Sequence, residues 1–324
     1  MQNLVSVKAM KSGVENIRGL TGCVALKEVD VSECKNLTSL DGLSGMQKLV
    51  SLKAMKSGVK NIRGLGGCVA LKRVDLSNCR NLLSLEGLLG SKKLVSLDAG
   101  YSKITDVRDL SESLSLKAVN LSDCFYLTSI DGLSGLKKLE NVEAGQAGIT
   151  SILPLSGCVS LKTLNLCWCE RLGSLEGLSG LKRLTNVDAT STQIENLKGL
   201  RGCDSLEWLN VKQCEYLKSL DHLAGLPRLQ YVDISYCWKL KSLNGLGSLT
   251  SLKSVNASDT AITNVNCLNG CTSLETVDFT SCKNLSSLEG LSGLPNLKHV
   301  DAEGTSVSRD ERLKDCPQLE SLWD

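Results

Sequence analysis

The chain repeats itself every 22 or 23 residues, and this period constrains the fold more than any single side chain does. A unit of this length cannot bury its one-sided apolar row alone, so successive units are predicted to stack into a solenoid with a continuous core. A truncated unit begins at Leu319. It follows fourteen repeats that begin at Leu4, Leu26, Leu49, Leu71, Leu94, Leu116, Leu139, Leu161, Leu184, Leu206, Leu229, Leu252, Leu274 and Leu297.

Two types of repeat alternate along the chain. The longer type, shown by residues 116–138, has apolar residues at repeat positions 1, 4, 6, 9, 12, 15, 18 and 21, and the shorter type, shown by residues 184–205, lacks one residue after position 9. The period of two at positions 3 to 7 predicts a short strand with one buried face. The later period of three predicts 3₁₀ turns, with glycines expected to supply backbone freedom there. The repeats beginning at Leu206 and Leu229 are both long, so Cys214 and Cys237 are predicted to stack.

The pattern Leu-x-x-Leu-x-Leu-x-x-(Asn/Cys)-x-Leu resembles the leucine-rich repeat family over more than nine-tenths of the chain. The alternation of repeat types is also similar to kinetoplastid repeat arrays. The shorter units resemble the 22-residue internalin-like class, with Ser, Thr or Ala where that class has Asn: Ser12, Ser57, Ser102, Ala147, Thr192, Thr260 and Thr305. The longer units resemble the cysteine-containing class through Cys34, Cys79, Cys124, Cys169, Cys214, Cys237 and Cys282.

The resemblance implies a leucine-rich-repeat solenoid of the α/β class, wound as a right-handed superhelix. One parallel β-sheet is expected on the concave side and 3₁₀ or short-turn segments on the convex side, with gentle curvature. Residues 1–324 are predicted to form a single domain, which comprises about 14 repeats and the partial one from residue 319. Because neither end has a clear cap, we expect a longer polypeptide, a covering domain or end-on self-association.

Composition narrows the classes of partner and compartment. The chain has 37 basic and 35 acidic residues, so net charge indicates no nucleic-acid partner. It has neither an apolar run long enough to span a membrane nor a signal peptide at its start. Thirteen of the 15 cysteines fall in two columns of the repeat, where a free thiol serves as a small buried hydrophobe. Reduced thiols in this number predict a cytoplasmic location, with the nucleus as the alternative.

Residues for catalysis are scarce. The two histidines, His222 and His299, lie in different repeats, so no nucleophile–base pair can be assembled. Cys167 and Cys169 are predicted to point to opposite sides, which excludes a two-thiol metal clip. The glycines form no phosphate-binding loop between a strand and a long helix. The chain is therefore predicted not to be an enzyme and to need no cofactor or metal.

The concave face is the candidate binding surface. Outward residues at position 5 form a ladder of Asp and Asn, which either braces the sheet or forms an acidic trough for basic groups. Five of the eleven aromatic residues lie between residues 208 and 238, and Trp208 and Tyr231 are predicted neighbours on the sheet face. Exposed aromatic residues are common anchors of protein interfaces. The predicted partner-binding residues are Trp168, Trp208, Tyr231, Tyr236, Trp238, Asp188, Asp233 and Asp259.

These observations predict non-catalytic recognition of a protein or peptide on the concave face. Two alternatives stay open. By family analogy, the array could serve as the substrate-recognition part of a ubiquitin ligase or another multidomain enzyme, whose catalytic module lies elsewhere. It could also be a structural spacer in a larger assembly, in which case substitution of Trp208 and Tyr231 would leave every interaction intact.

Overall fold

The computed structural model of the protein describes residues 3–308, 313 and 315–322. The chain divides into two compact units. Unit 1 comprises residues 1–150 and 154–164, and unit 2 comprises residues 151–153 and 165–324. The prediction that residues 1–324 form one domain stays a prediction.

Every repeat contributes one short strand. Strands β1 to β8, beginning in unit 1, are Ser6–Lys8, Glu28–Asp30, Ser51–Lys53, Arg73–Asp75, Ser96–Asp98, Ala118–Asn120, Asn141–Glu143 and Thr163–Asn165. Strands β9 to β15, in unit 2, are Asn186–Asp188, Trp208–Asn210, Tyr231–Asp233, Ser254–Asn256, Thr276–Asp278, His299–Asp301 and Ser321–Leu322.

Within each unit the strands are parallel, and strands that are consecutive in the chain are neighbours in the sheet. Equal repeat positions pair, as Val119 of β6 does with Val142 of β7. The strands cover positions 3 to 5 and are shorter than the predicted span of positions 3 to 7. They are shorter because the chain turns after position 5. The position-6 amides still bond to the next repeat, and the Leu121 amide donates to the Glu143 carbonyl at 2.7 Å.

The later part of most repeats contains a 3₁₀ turn, as the spacing of three predicts. The described residues contain no α-helix. The apolar positions are buried in the interior repeats, and in the repeat from Leu116 each exposes 2% or less. In the first repeat Leu4, Val7 and Leu20 are only half-buried, because no repeat covers them on one side. The 3₁₀ turns are Arg18–Leu20, Asp41–Leu43, Arg63–Leu65, Glu86–Leu88, Arg108–Leu110, Asp131–Leu133, Leu153–Gly157, Lys198–Leu200, Asp221–Leu223, Asn244–Leu246, Asn266–Gly270 and Glu289–Leu291.

Two glycines of this turn act in different ways. Gly132 is needed because a Cβ there would collide with the carbonyl oxygen of Val107 in the preceding repeat. Gly135 has a φ of 71°, a left-handed conformation that glycine adopts at little cost. The expected backbone freedom is therefore confirmed only for the second glycine, and the first one permits close stacking of repeats.

Candidate recognition surface

A left-handed residue follows each of the strands β1 to β14 at repeat position 8. Trp168 has a φ of 61° and Tyr236 a φ of 59°, a region that bulky side chains rarely adopt. Their amides donate to the next repeat, from Trp168 to the Thr190 carbonyl at 2.7 Å and from Tyr236 to the Ser258 carbonyl at 2.9 Å. These backbone bonds hold the conformation, whose cost is about 1 kcal/mol for each such residue. Because these bonds involve main-chain atoms only, the side chain is available for contacts outside the repeat.

In unit 2, residues at positions 8 to 11 enclose a pocket of ≈ 310 Å³, which we call the aromatic pocket. Trp168 and Trp238 are 50% and 57% exposed, so core packing does not explain them. Trp168 and Tyr236, predicted to lie on the same rim, both line it. Its lining is Trp168, Glu170, Ser191, Thr192, Gln193, Gln213, Glu215, Tyr216, Tyr236 and Trp238.

The polar lining of the aromatic pocket is partly engaged. Ser191 donates its hydroxyl to the Gln213 amide oxygen at 2.9 Å, which fixes the floor between Trp168 and Tyr236. Glu170 and Glu215 are exposed, and neither carboxylate has an ion pair or hydrogen bond to another described residue. The pocket therefore offers two carboxylates beside aromatic rings.

Lysines of unit 2 already lie over two of these rings. The Lys212 ammonium is 5.2 Å from the centroid of Tyr236, and the Lys239 ammonium is 4.3 Å from that of Tyr216. Attraction between a cation and a ring face explains both contacts. The rings of this surface are thus positioned to accept cations.

The sheet face carries a separate aromatic pair. Trp208 of β10 and Tyr231 of β11 are directly paired in register, as predicted from the repeat. Trp208 is half-buried, whereas Tyr231 is exposed. Neither residue lines the aromatic pocket. The predicted anchors therefore fall into two groups, one on the sheet and one at the loops that follow it.

The predicted acidic residues are mainly engaged with their own backbone. One carboxylate oxygen of Asp188 accepts the amide and hydroxyl of Thr190, at 2.9 and 2.6 Å. Asp233 does the same with Ser235. Such Asx turns end the strands, which favours the bracing interpretation of the position-5 ladder. Asp259 instead occupies a left-handed position 8, with its amide bonded to the Thr280 carbonyl.

Sequence reasoning missed Glu170, Glu215 and Tyr216 as parts of the site. All three lie at positions 10 and 11, directly after the buried cysteine of a long repeat. The sequence pattern places a rim at position 8, and residues 168–170 and 213–216 each form a short turn that carries this rim on to positions 10 and 11. The clustering of Trp168 with Glu170, and of Tyr216 with Glu215, was the available signal.

Position 9 shows what replaces the missing asparagine ladder. Ser or Thr of a short repeat contacts the cysteine of the next long repeat, as Thr192 does with Cys214 at 3.4 Å. Both groups donate to one carbonyl, that of Ala189, from the Thr192 hydroxyl at 2.8 Å and the Cys214 thiol at 3.2 Å. Burial raises the pKa of Cys214. Burial and the neighbouring Cys214 raise that of Cys237, as expected if the two thiols stack.

The histidines lie apart from one another. His299 in β14 contacts the Ser321 hydroxyl at 3.0 Å through Nδ1, whereas His222 lies in the turn Asp221–Leu223 with no described partner for its buried Nδ1. Among the described residues, no group of three or more His, Cys, Asp or Glu side chains could hold a metal ion. The described residues also include no helix with the length and apolar character that crossing a membrane requires.

Comparison with solved structures identifies the fold. Neither a protein-family model nor a curated protein sequence matches the chain. The internalin InlF of Listeria monocytogenes is similar in structure, with a TM-score of 0.72 and 18% identity over 98% of this chain and 86% of InlF. A leucine-rich-repeat protein of Leptospira interrogans has a TM-score of 0.68 and 17% identity, over 97% and 89% of the two chains.

A third similar structure bears on the cysteine columns. The functional domain of InlJ from Listeria monocytogenes, which includes a cysteine ladder, has a TM-score of 0.64 and 16% identity, over 97% of this chain and 66% of the InlJ chain. This chain has parallel strands in chain order, 3₁₀ turns and buried columns of Leu and Cys. The chain has the leucine-rich-repeat fold of the internalins.

Proposed function

We propose that the protein is a non-catalytic recognition scaffold that binds a protein or peptide partner, with the aromatic pocket of unit 2 as the anchor. The observation that carries the proposal is the grouping of Trp168, Tyr236 and Trp238 around one pocket. Both tryptophans are at least half exposed, at 50% and 57%, so the core does not need them. Exposed Trp and Tyr side chains are suited to anchoring a partner.

The lining of the pocket favours a basic side chain in that partner. Glu170 and Glu215 supply carboxylates without a described partner, and the rings of Trp168 and Trp238 supply faces that attract a guanidinium or ammonium. The pair Trp208 and Tyr231 extends the proposed contact onto the sheet face. A preformed surface of this kind loses little ordering entropy on association.

A selection from a random peptide library tests the proposal. Peptides selected on the native protein should be enriched in Arg or Lys, and calorimetry should show that Trp168→Ala/Trp238→Ala binds them at least tenfold more weakly, as truncation of interface anchors does. Glu170→Gln/Glu215→Gln should lower the affinity for the same peptides several-fold. Phe125→Ala is the matched control, because Phe125 is exposed at position 10 in unit 1 and lies outside the pocket.

Four outcomes contradict the proposal or a part of it. Failure to select any peptide would count against an anchor of this kind. Equal binding by the native protein and the double tryptophan variant would remove the pocket from recognition, and so would equal weakening by Phe125→Ala. Selected peptides without basic residues would contradict the assignment of Glu170 and Glu215.

We further infer a reducing compartment, with the cytoplasm favoured over the nucleus. Support comes from the fifteen cysteines, all of which are free thiols and thirteen of which are buried. A fluorescent fusion of the chain should distribute through the cytoplasm. Secretion of the fusion would contradict this inference.

A further inference from the structure

Unit 1 has its own pocket at the same repeat positions, and its lining is of the opposite charge. It has a volume of ≈ 440 Å³ and is formed by the repeats that begin at residues 26, 49 and 71. We call it the basic pocket. It is lined by Lys35, Lys56, Ser57, Gly58, Asn78, Arg80 and Asn81.

A glycine keeps this pocket open. Position 10 is occupied by Lys35, Gly58 and Arg80 in three successive repeats. Lys35 and Arg80 are therefore about 10 Å apart along the stack, with no side chain between them. A Cβ at Gly58 would collide with the Lys35 carbonyl oxygen, so this position excludes larger residues.

The cations of the basic pocket are uncompensated. No carboxylate lines it, and Lys35, Lys56 and Arg80 form no ion pair with another described residue. The nearest acid in the position-8 row, Glu33, lies 3.8 Å from Lys11. Residues 3–82 as a whole contain thirteen Lys and Arg against six Asp and Glu, which raises the local positive potential.

We propose that the basic pocket binds the dianion of a phosphate monoester. Such a group carries a charge of about −1.5 to −2 and three strong acceptor oxygens. Three cations around one opening match this charge better than they match a carboxylate. The side-chain amides of Asn78 and Asn81 supply further donors on the same wall. Arg80 provides the forked donor geometry that phosphate oxygens accept in pairs.

A single phosphate fits the pocket better than a nucleic-acid backbone does. A polynucleotide needs a continuous series of cations along its path. Here the position-8 row is interrupted by Glu33 before Lys56. In the position-10 row Lys103 follows Arg80, and the next residue along the stack is Phe125. The positive side chains are thus confined to one short stretch of the edge.

Calorimetry with an O-phosphoserine peptide of otherwise neutral residues tests this site. The native protein should bind the phosphopeptide at least tenfold more tightly than the same peptide with serine. Lys35→Ala/Arg80→Ala should lower the affinity at least tenfold. Lys137→Ala/Lys138→Ala is the control, because it removes the same charge from exposed residues of unit 1 outside the pocket. A thermal melt of each variant reports on folding.

The arms of the experiment separate the sources of phosphate. If inorganic phosphate at equal concentration displaces the phosphopeptide, this would support a site for the phosphoryl group itself. If it does not displace the phosphopeptide, this would support a site for a phosphorylated protein segment. Equal losses in both double variants would show general charge attraction and overturn the proposal. It would also be overturned by an oligonucleotide that binds more tightly than the phosphopeptide and is weakened at least as much by Lys35→Ala/Arg80→Ala.

Discussion

At the scale of the residue, the main chain of position 8 has a structural role, whereas its side chain varies from repeat to repeat. Its amide bonds to the next repeat, and its φ is positive in thirteen non-glycine residues of the described chain. The residues found there include Lys56, Gln146, Trp168 and Tyr236, which share no chemical property. The backbone therefore sets the conformation, and each side chain can be chosen for what it meets outside.

The stability of glycine variants tests this separation. Trp168→Gly and Tyr236→Gly should leave the free energy of unfolding unchanged or raise it by up to about 1 kcal/mol, because glycine relieves the left-handed strain. Leu166→Ala, at a fully buried position of the same repeat, should cost about 2–5 kcal/mol. Urea denaturation followed by circular dichroism measures all three. A loss above 1 kcal/mol in either glycine variant would show that the aromatic ring has a structural role.

At the scale of the element, a second cysteine column links consecutive 3₁₀ regions. The thiols of Cys158, Cys203 and Cys271 donate to the carbonyls of Leu133, Leu178 and Leu246, which lie one repeat earlier, at 3.1 to 3.3 Å. Burial raises the pKa of each thiol to about 11, against the usual value of 9.0. The column therefore stabilises the stack only while its thiols keep their protons.

Alkaline pH should weaken this column. Unfolded thiols lose protons near pH 9.0, whereas the three folded thiols keep theirs until about pH 11. Since the folded state then binds more protons, the free energy of unfolding should fall across this interval. Urea midpoints between pH 8 and pH 11 measure the fall. The triple variant Cys158→Ala/Cys203→Ala/Cys271→Ala should show a shallower one, and an identical pH profile would contradict the role of the thiols.

At the scale of the whole molecule, the main contacts of each repeat are with its neighbours in the chain. Every described strand pair joins consecutive strands of one unit, and the thiol and hydroxyl bonds join adjacent repeats as well. Such stability is close to a sum of equal local terms. No single interior repeat is expected to dominate folding within its unit.

Equivalent core substitutions test this additivity. Leu49→Ala and Leu71→Ala in unit 1, and Leu229→Ala and Leu252→Ala in unit 2, each truncate a position-1 leucine that is 1% exposed or less. Each should cost about 2–5 kcal/mol, with values alike within each unit. Urea denaturation followed by circular dichroism gives the four values. The additive description would be contradicted if one substitution unfolded its unit while the equivalent substitution in the same unit had little effect.

The period of the sequence predicted much of this molecule. It predicted the strand of each repeat, the 3₁₀ turns, the buried columns and the pairing of Trp208 with Tyr231, because equal positions of stacked repeats must become neighbours. It did not predict the left-handed backbone of position 8, where Trp168 and Tyr236 carry none of the glycine or asparagine signature. That conformation depends on hydrogen bonds to the next repeat. The grouping of Trp168 with Glu215, two repeats further along the chain, therefore needed the structure.

The backbone bond at position 8 has a consequence for how such proteins diversify. Because the frame is held by main-chain groups and by inward-pointing residues, the exposed residues at positions 8, 10 and 11 of the long repeats can change without disturbing the core. Duplication and recombination of whole repeats would then shuffle ready-made binding elements. A lineage could replace a patch that attracts cations with one that attracts anions in a few exchanges, and evolve new specificities on an inherited frame.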